Sequence, residues 1–292
     1  MARTELKLQT KVELKPSNVS IAYNKPIMLF GSCFADSIGH RLQNYGFDVL
    51  LNPFGSLYNP VSIANSLQRI ISCQAFAEED CVEIGAGDKR ICSFSHHTLR
   101  AKSNKEEFLS AVNTELMEAN SFWHKTTTLI ITLGTAWCYA HLPENKVVSN
   151  CLKHVPNEFK RFILSTEKCR EQLDRIIDMA GNRDIIFTIS PIRHMADGAH
   201  GNMISKSTLF VALEEAMRGK ENVAYFPSFE ILYDELRDYR FYAEDMVHPS
   251  EMTENYIFNR FIDYTLQSTD FQRFETEQKE YRRRMHRPNG VG

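Results

Sequence analysis

Three near-continuous runs of apolar and β-branched residues constrain this chain most: residues 27–30 (IMLF), 128–133 (TLIITL) and 184–189 (DIIFTI). A strand with one wet face alternates apolar and polar side chains, so runs without alternation belong to strands covered on both faces. Each run leads into a small or polar turn and then a segment of helical period. After the first run, Phe34, Ile38 and Leu42 recur every four residues with Ala35 and Tyr45 beside them, the stripe of an amphipathic helix. Covered strands separated by helices predict a three-layer α/β/α sandwich around a mainly parallel, flavodoxin-like sheet.

The intervening segments fit that plan. Residues 47–51 read as a second strand closed by the turn NPFG, and 60–71 as a helix opened by proline. Helices are expected at 106–122, 166–180, 205–218 (with Ser205 as N-cap) and 251–266, and a short strand at 223–226. Two segments break the alternation. VEIGAGDKRICSF within 82–101 and the stretch 138–148 across LPENK are expected as small β-hairpin insertions. Residues 1–270 are read as one α/β domain, and 271–292 as a charged helix or tail.

Composition narrows the classes of function. A chain of 292 residues with 43% hydrophobic and 24% charged residues builds its own core without staples. A formal net charge of −3 argues against nucleic acid as a partner. The opening MARTELKLQTKVELKPSN lacks the apolar centre of a secretory leader, and no apolar run approaches the ~18 residues of a membrane span. The seven cysteines are odd in number and lack a C-x-x-C pair, so reduced thiols are expected rather than disulfides or zinc ligands. The expectation is a cytoplasmic protein without a membrane partner or cofactor. The basic cluster Arg282, Arg283, Arg284 and Arg287 is read as a solvated helix end.

Parallel sheets place their sites at the carboxyl ends of the strands, so the residues after each run are the candidates. These are Gly31-Ser32-Cys33, Asn52-Pro53-Phe54-Gly55, Gly134-Thr135-Ala136-Trp137 and Ser190-Pro191-Ile192-Arg193-His194. Ser32 sits where a strand turns into a helix; its hydroxyl can cap the helix or serve as a nucleophile beside free helix amides. Asp245-Met246-Val247-His248 precedes the closing helix. A histidine that takes a serine proton needs a carboxylate on its other nitrogen, and an Asp and His three positions apart can supply both from one loop.

At these residues a family resemblance becomes visible. Gly31 to Ala35 read GSCFA, and the chain resembles the GSCFA family, related to the SGNH hydrolases, over roughly residues 20–265. NPFGSLYNP (52–60), TLGTAW (132–137), SPIRHMADGAHGNMISKSTL (190–209) and FPSFEILYDELRDYRFYAEDMVHPS (226–250) carry it. The resemblance implies an SGNH-type sandwich with Ser32 as nucleophile and Asp245 and His248 as its partners. It also implies Gly55 as a backbone oxyanion donor. The chain departs from that pattern at the third SGNH block, Gly-x-Asn-Asp, where Ala136 stands at the asparagine position. Thr135, Asn52 and Asn59 are the nearby candidates for the lost donor.

The expected chemistry is ester hydrolysis or acyl transfer through an acyl-enzyme, on a small-molecule or glycan ester such as an O-acetylated carbohydrate. A glycan- or protein-binding module that kept the fold without catalysis is the alternative, and a phosphoester-directed enzyme a third. Arg193 can clamp a carboxylate or phosphate, or pair with Asp197 or Glu244. Trp137 and Tyr139 can stack on a sugar or belong to the core. Cys33 is read as a buried helix residue and His194 as structural. His96 and His97, adjacent in a hairpin, face opposite sides and do not share a metal.

Overall fold

The computed structural model describes residues 9–15 and 17–285. Arg287 and the first eight residues of the charged opening lie outside them. In chain order the elements are β1 (Ile27–Gly31), α1 (Cys33–Asn44), β2 (Val49–Leu51), α2 (Pro60–Ser72), β3 (Val82–Glu83), β4 (Ile91–Cys92) and α3 (Lys105–Lys125). Then follow β5 (Thr128–Leu133), β6 (Trp137–His141), β7 (Lys146–Val148), β8 (Phe159–Ile163), α4 (Thr166–Ala180) and β9 (Asp184–Ile189). The chain closes with α5 (Gly198–Met217), β10 (Val223–Phe226), the single turn α6 (Ser228–Glu230), α7 (Glu251–Thr265) and α8 (Phe271–Met285).

The expected parallel α/β/α architecture is what forms. Five parallel strands lie in the order β10-β9-β5-β1-β2. Successive side chains of a strand point to opposite faces, and each run accordingly feeds two cores. Met28, Phe30, Leu129, Ile131, Ile185 and Phe187 pack with α2, α3, α4 and α5. Ile27, Leu29, Ile130 and Ile186 pack against Phe34, Ile38 and Leu42 of α1 and Phe258, Phe261 and Ile262 of α7. Because β1 and β5 are neighbours while β2 lies on the other side of β1, the strand order reverses between them. Their carboxyl ends open onto the crevice where sheets of this type bind ligands.

Both insertions are antiparallel, with differences from expectation. The first is only the short pair β3–β4. The second is a three-stranded sheet, β7-β6-β8, whose third strand, β8, the sequence pattern did not indicate. Helix α5 begins at Gly198, seven residues before the expected Ser205, so Ser205 is an interior helical residue and not a cap. The charged segment after 270 is helical and docked: Phe274 is buried, and its ring meets that of Tyr45 edge-on at 5.4 Å. No helix among the described residues is long and apolar enough to cross a membrane.

Candidate active site

The turn after β1 is built around Gly31. At its φ of +146° a side chain would bring Cβ to 2.4 Å from the Thr132 carbonyl of β5, so only glycine lets the two strands run this close. The Gly31 N–H donates to Asn52 Oδ1 (2.9 Å), and the Asn52 amide donates to Asp36 Oδ1 (2.7 Å). Asn52 thereby ties the ends of β1 and β2 to α1, with one amide N–H given to Asp36, and it borders a depression separate from the His248 cleft. Gly55, after β2, is also spoken for. Its N–H donates to the Asn52 carbonyl (2.8 Å), and at φ +88° its missing Cβ leaves room for His97, whose Cβ would be 2.5 Å away. Gly55 borders a separate depression with Asp36, His40 and His97. In this structure Gly55 makes the turn after β2, and its N–H is engaged there.

Ser32 precedes α1, is 2% exposed, and makes no side-chain capping bond. Among the described residues its Oγ has no hydrogen-bond partner, an uncommon state for a buried hydroxyl. The capping role therefore does not account for it. Cys33, the first residue of α1, faces a cleft of about 510 Å³ that His248 also lines. Burial pushes its thiol pKa up, Asp36 adds to the rise, and the amides of Cys33 and Phe34 oppose it.

The structure brings Asp245 and His248 together. One carboxylate oxygen accepts the N–H groups of Val247 and His248 (both 2.9 Å), and the other accepts His248 Nδ1–H at 2.6 Å. These bonds, the two backbone N–H groups first, hold the Asp245 carboxyl down at about 2. A carboxylate can only accept, so the imidazole proton is fixed on Nδ1 and Nε2 is left as an acceptor. The turn itself requires Met246 at φ +57°, and backbone bonds from Ala243 to His248 and from Ser250 to Phe241 hold it. His248 Nε2 lies 3.8 Å from Cys33 Sγ; it makes no hydrogen bond to Ser32.

The opposite wall comes from the loops after β2 and β5. The Tyr58 carbonyl accepts the N–H groups of Gly134 (2.8 Å) and Thr135 (2.9 Å), which pins the 58–59 peptide against the β5 loop. Asn59 caps α2 through Oδ1, leaving its side-chain amide without a partner among the described residues while the residue lines the cleft. Thr135 also lines it, but its hydroxyl is bonded to Ser205 Oγ (2.9 Å) and accepts the Trp137 N–H (3.1 Å). Trp137 stands at the rim with the Arg161 guanidinium stacked 4.0 Å above its ring. Arg193 lines the cleft too. It pairs with neither Asp197, which binds Arg161, nor Glu244; its guanidinium lies 4.4 Å over Tyr233.

Sequence reasoning missed the support beneath this wall. The first half of α5 turns Asn202, Ser205 and Lys206 inward under the strand ends. Asn202 accepts the His194 N–H (3.0 Å), and Ser205 accepts the Ala136 N–H (2.8 Å). Lys206, fully enclosed, donates to the carbonyls of Gly134 (2.7 Å) and Ser190 (2.8 Å), joining the ends of β5 and β9. Burial lowers its pKa to about 7. Burial, with Lys206 nearby, also holds His194 at about 4, so its ring is neutral at pH 7. The signal was present in the spacing: residues 202, 205 and 206 continue the buried stripe of Leu209, Ala212 and Leu213, in polar form. Among the described residues no cluster of His, Cys, Asp or Glu is arranged to hold a metal.

A parallel α/β protein with an Asp–His pair facing the first strand-to-helix turn is the class these features define. The chain belongs to the GSCFA family, whose sequence model matches residues 26–261. No curated protein matches it. Among solved structures it is similar to a Streptococcus pneumonia protein described as a platelet activating factor. That likeness has 12% identity and a TM-score of 0.42, covering 84% of this chain and 86% of the other. It is also similar to a Clostridium thermocellum family 3 carbohydrate esterase. There the identity is 13% and the TM-score 0.38, covering 86% of this chain and 98% of the other.

Proposed function

We propose that this protein is an SGNH-type serine hydrolase or acyltransferase that acts on esters through an acyl-enzyme, an O-acylated carbohydrate being the favoured substrate class. The observation that carries the reading is the Asp245–His248 pair, with its Nε2 acceptor turned toward the start of α1. In the proposed reaction Ser32 Oγ attacks the ester carbonyl and gives its proton to His248 Nε2. Asp245 holds Nδ1–H and stabilises the imidazolium. The tetrahedral oxyanion is met by amides at the start of α1 and by the Asn59 side-chain amide. His248 then protonates the departing alcohol. Water, or an acceptor hydroxyl, deprotonated in turn by His248, takes the acyl group from Ser32, and His248 returns that proton to the departing Ser32 Oγ. For serine and imidazole to meet, the enclosed Ser32 hydroxyl must rotate into the cleft as the half-exposed His248 ring turns toward it; catalytic bonds are often unformed before substrate binds.

A second reading has one specific support: the Cys33 thiol lies 3.8 Å from His248 Nε2, which makes a thioester intermediate the alternative. Labelling with a fluorophosphonate, followed by peptide mapping, separates the two. Labelling of Ser32 that disappears in Ser32→Ala and His248→Ala and persists in Cys33→Ala is the expected pattern. Labelling that survives Ser32→Ala would exclude the serine, and transfer of the acyl group to Cys33 in that variant would assign the thiol. A folded wild-type protein that takes no label at either residue would favour a binding module.

A further inference from the structure

Two cavities meet at Arg193. One is the cleft of His248; the other, of about 290 Å³, is lined by Tyr233, Tyr239, Tyr242 and Met246 beside Arg193. The other arginines of these cavities have carboxylate partners. Arg161 pairs with Asp197 and Arg237 with Asp234. Arg193 has none among the described residues. Its guanidinium rests 4.4 Å from the centre of the Tyr233 ring and 6.0 Å from that of Tyr242, and its Nε is enclosed without a hydrogen-bond acceptor. A guanidinium presents a fork of donors matched to a carboxylate or phosphate, and enclosing part of that fork without an acceptor is unfavourable. The carboxylates lining the two cavities are committed elsewhere, Asp197 to Arg161 and Asp238 to Arg240.

The geometry points to Arg193 as the receptor for an anionic group on the substrate, so that the preferred ester carries a carboxylate or phosphate. The inference rests on the proposed ester chemistry for its place in a reaction, but the anion site itself does not. Tyr233 lies against the guanidinium, and Arg193 lines both cavities, where a planar fork of donors can take a carboxylate or phosphate in bidentate contact. Met246 borders the tyrosine cavity and His248 the cleft, so a substrate anchored on Arg193 has its ester bond within reach of the same turn that supplies the base.

Monomethyl succinate, an ester with a free carboxylate, and dimethyl succinate, its neutral counterpart, test this directly. Methanol release by the wild type is expected to favour the monoester in kcat/KM by roughly 10- to 100-fold, the size of one charge-assisted contact. Arg193→Gln should collapse the ratio to near one, and Arg193→Lys, which keeps charge without the fork, should restore part of it. An unchanged ratio in a folded Arg193→Gln variant would overturn the assignment. If the wild type hydrolyses neither ester, binding decides the anion site, and the ester chemistry is judged separately by fluorophosphonate labelling. In ligand-observed NMR, binding of the monoester that weakens at least tenfold in Arg193→Gln sustains the site, and equal binding refutes it.

Discussion

Asp245→Asn changes one atom of the pair and isolates what the carboxylate does. Asparagine Oδ1 still accepts the N–H groups of Val247 and His248, the two bonds that shape the turn, so the melting temperature should stay at the wild-type value. The other position is different. Where a carboxylate oxygen accepted Nδ1–H at 2.6 Å, an NH2 group now donates, and the imidazole must carry its proton on Nε2 instead. Nε2 is the atom that has to receive the Ser32 proton, so the wrong tautomer removes the base while leaving the ring in place. A loss of about 10³–10⁴ in the second-order rate of fluorophosphonate labelling is expected, the scale of tautomer loss in serine triads. Asp245→Ala, which also frees two backbone N–H groups, should lose both labelling and turn stability. The argument would be refuted by a folded Asp245→Asn protein that labels within roughly threefold of wild type.

Further expectations rest on other parts of the structure. Gly31→Ala forces Cβ toward the Thr132 carbonyl at a φ that side chains resist; a loss on the order of 3 kcal/mol in urea unfolding is expected, and an effect near zero would contradict the tight β1–β5 approach. Burial holds His96 at about 3, so below pH 6.5 the unfolded chain binds a proton that the folded chain refuses. Stability should therefore fall by about 1.4 kcal/mol per pH unit from this group between roughly pH 6 and 4, and His96→Phe should reduce that slope in unfolding titrations. Lys206 acts in the same direction at higher pH: its folded pKa of about 7 lies below the ordinary 10.5, the unfolded chain binds the extra proton in between, and stability gains from this group as pH rises through that window. Lys206→Met should flatten the rise between pH 7 and 8.5 while leaving two carbonyls without donors, at a cost of about 1–3 kcal/mol each. Phe274→Ala should cost about 3 kcal/mol and expose the α8 arginines to trypsin, because this ring is the buried anchor of that helix.

How much of this was readable from the chain depends on what each feature buries. The strands were legible because they bury apolar residues on both faces, and IMLF, TLIITL and DIIFTI became β1, β5 and β9 with little change of boundary. Helix α5 was half legible for the converse reason. From Leu209 onward its buried stripe is apolar, whereas from Asn202 to Lys206 the same stripe is polar and satisfied by loop backbone, so a hydropathy pattern sees a helix that starts late. Strand β8 reads FKRFI, with exposed Lys160 and Arg161, and its partner lies some twenty residues upstream; pairing at that distance has no local signature. Within the site, the Asp-x-x-His spacing foretold a contact that one loop can close by itself. Gly55 was ambiguous because a glycine after a strand has two uses, a free amide near a ligand or a turn that tolerates no Cβ. Only the position of His97, more than forty residues away, separates them.

The same long-range reasoning bears on the missing donor at Ala136. If each oxyanion donor had to come from its own block of sequence, alanine there would argue for a silent site. The fold weakens that argument. Tyr58 fixes its carbonyl to the amides of both Gly134 and Thr135, so the loop after β2 and the loop after β5 form one wall, and neither can move without the other. Thr135, the nearer replacement, spends its hydroxyl on Ser205 and on the Trp137 amide, and Asn52 gives an amide N–H to Asp36 and lines the neighbouring depression instead of the cleft. Asn59 differs from both: capping α2 uses its oxygen alone, and the nitrogen is left for the cleft. In the proposed reaction the amide donor has thus shifted from the third block to the second, and the alanine at 136 marks a change of supplier for the bond more readily than a loss of chemistry.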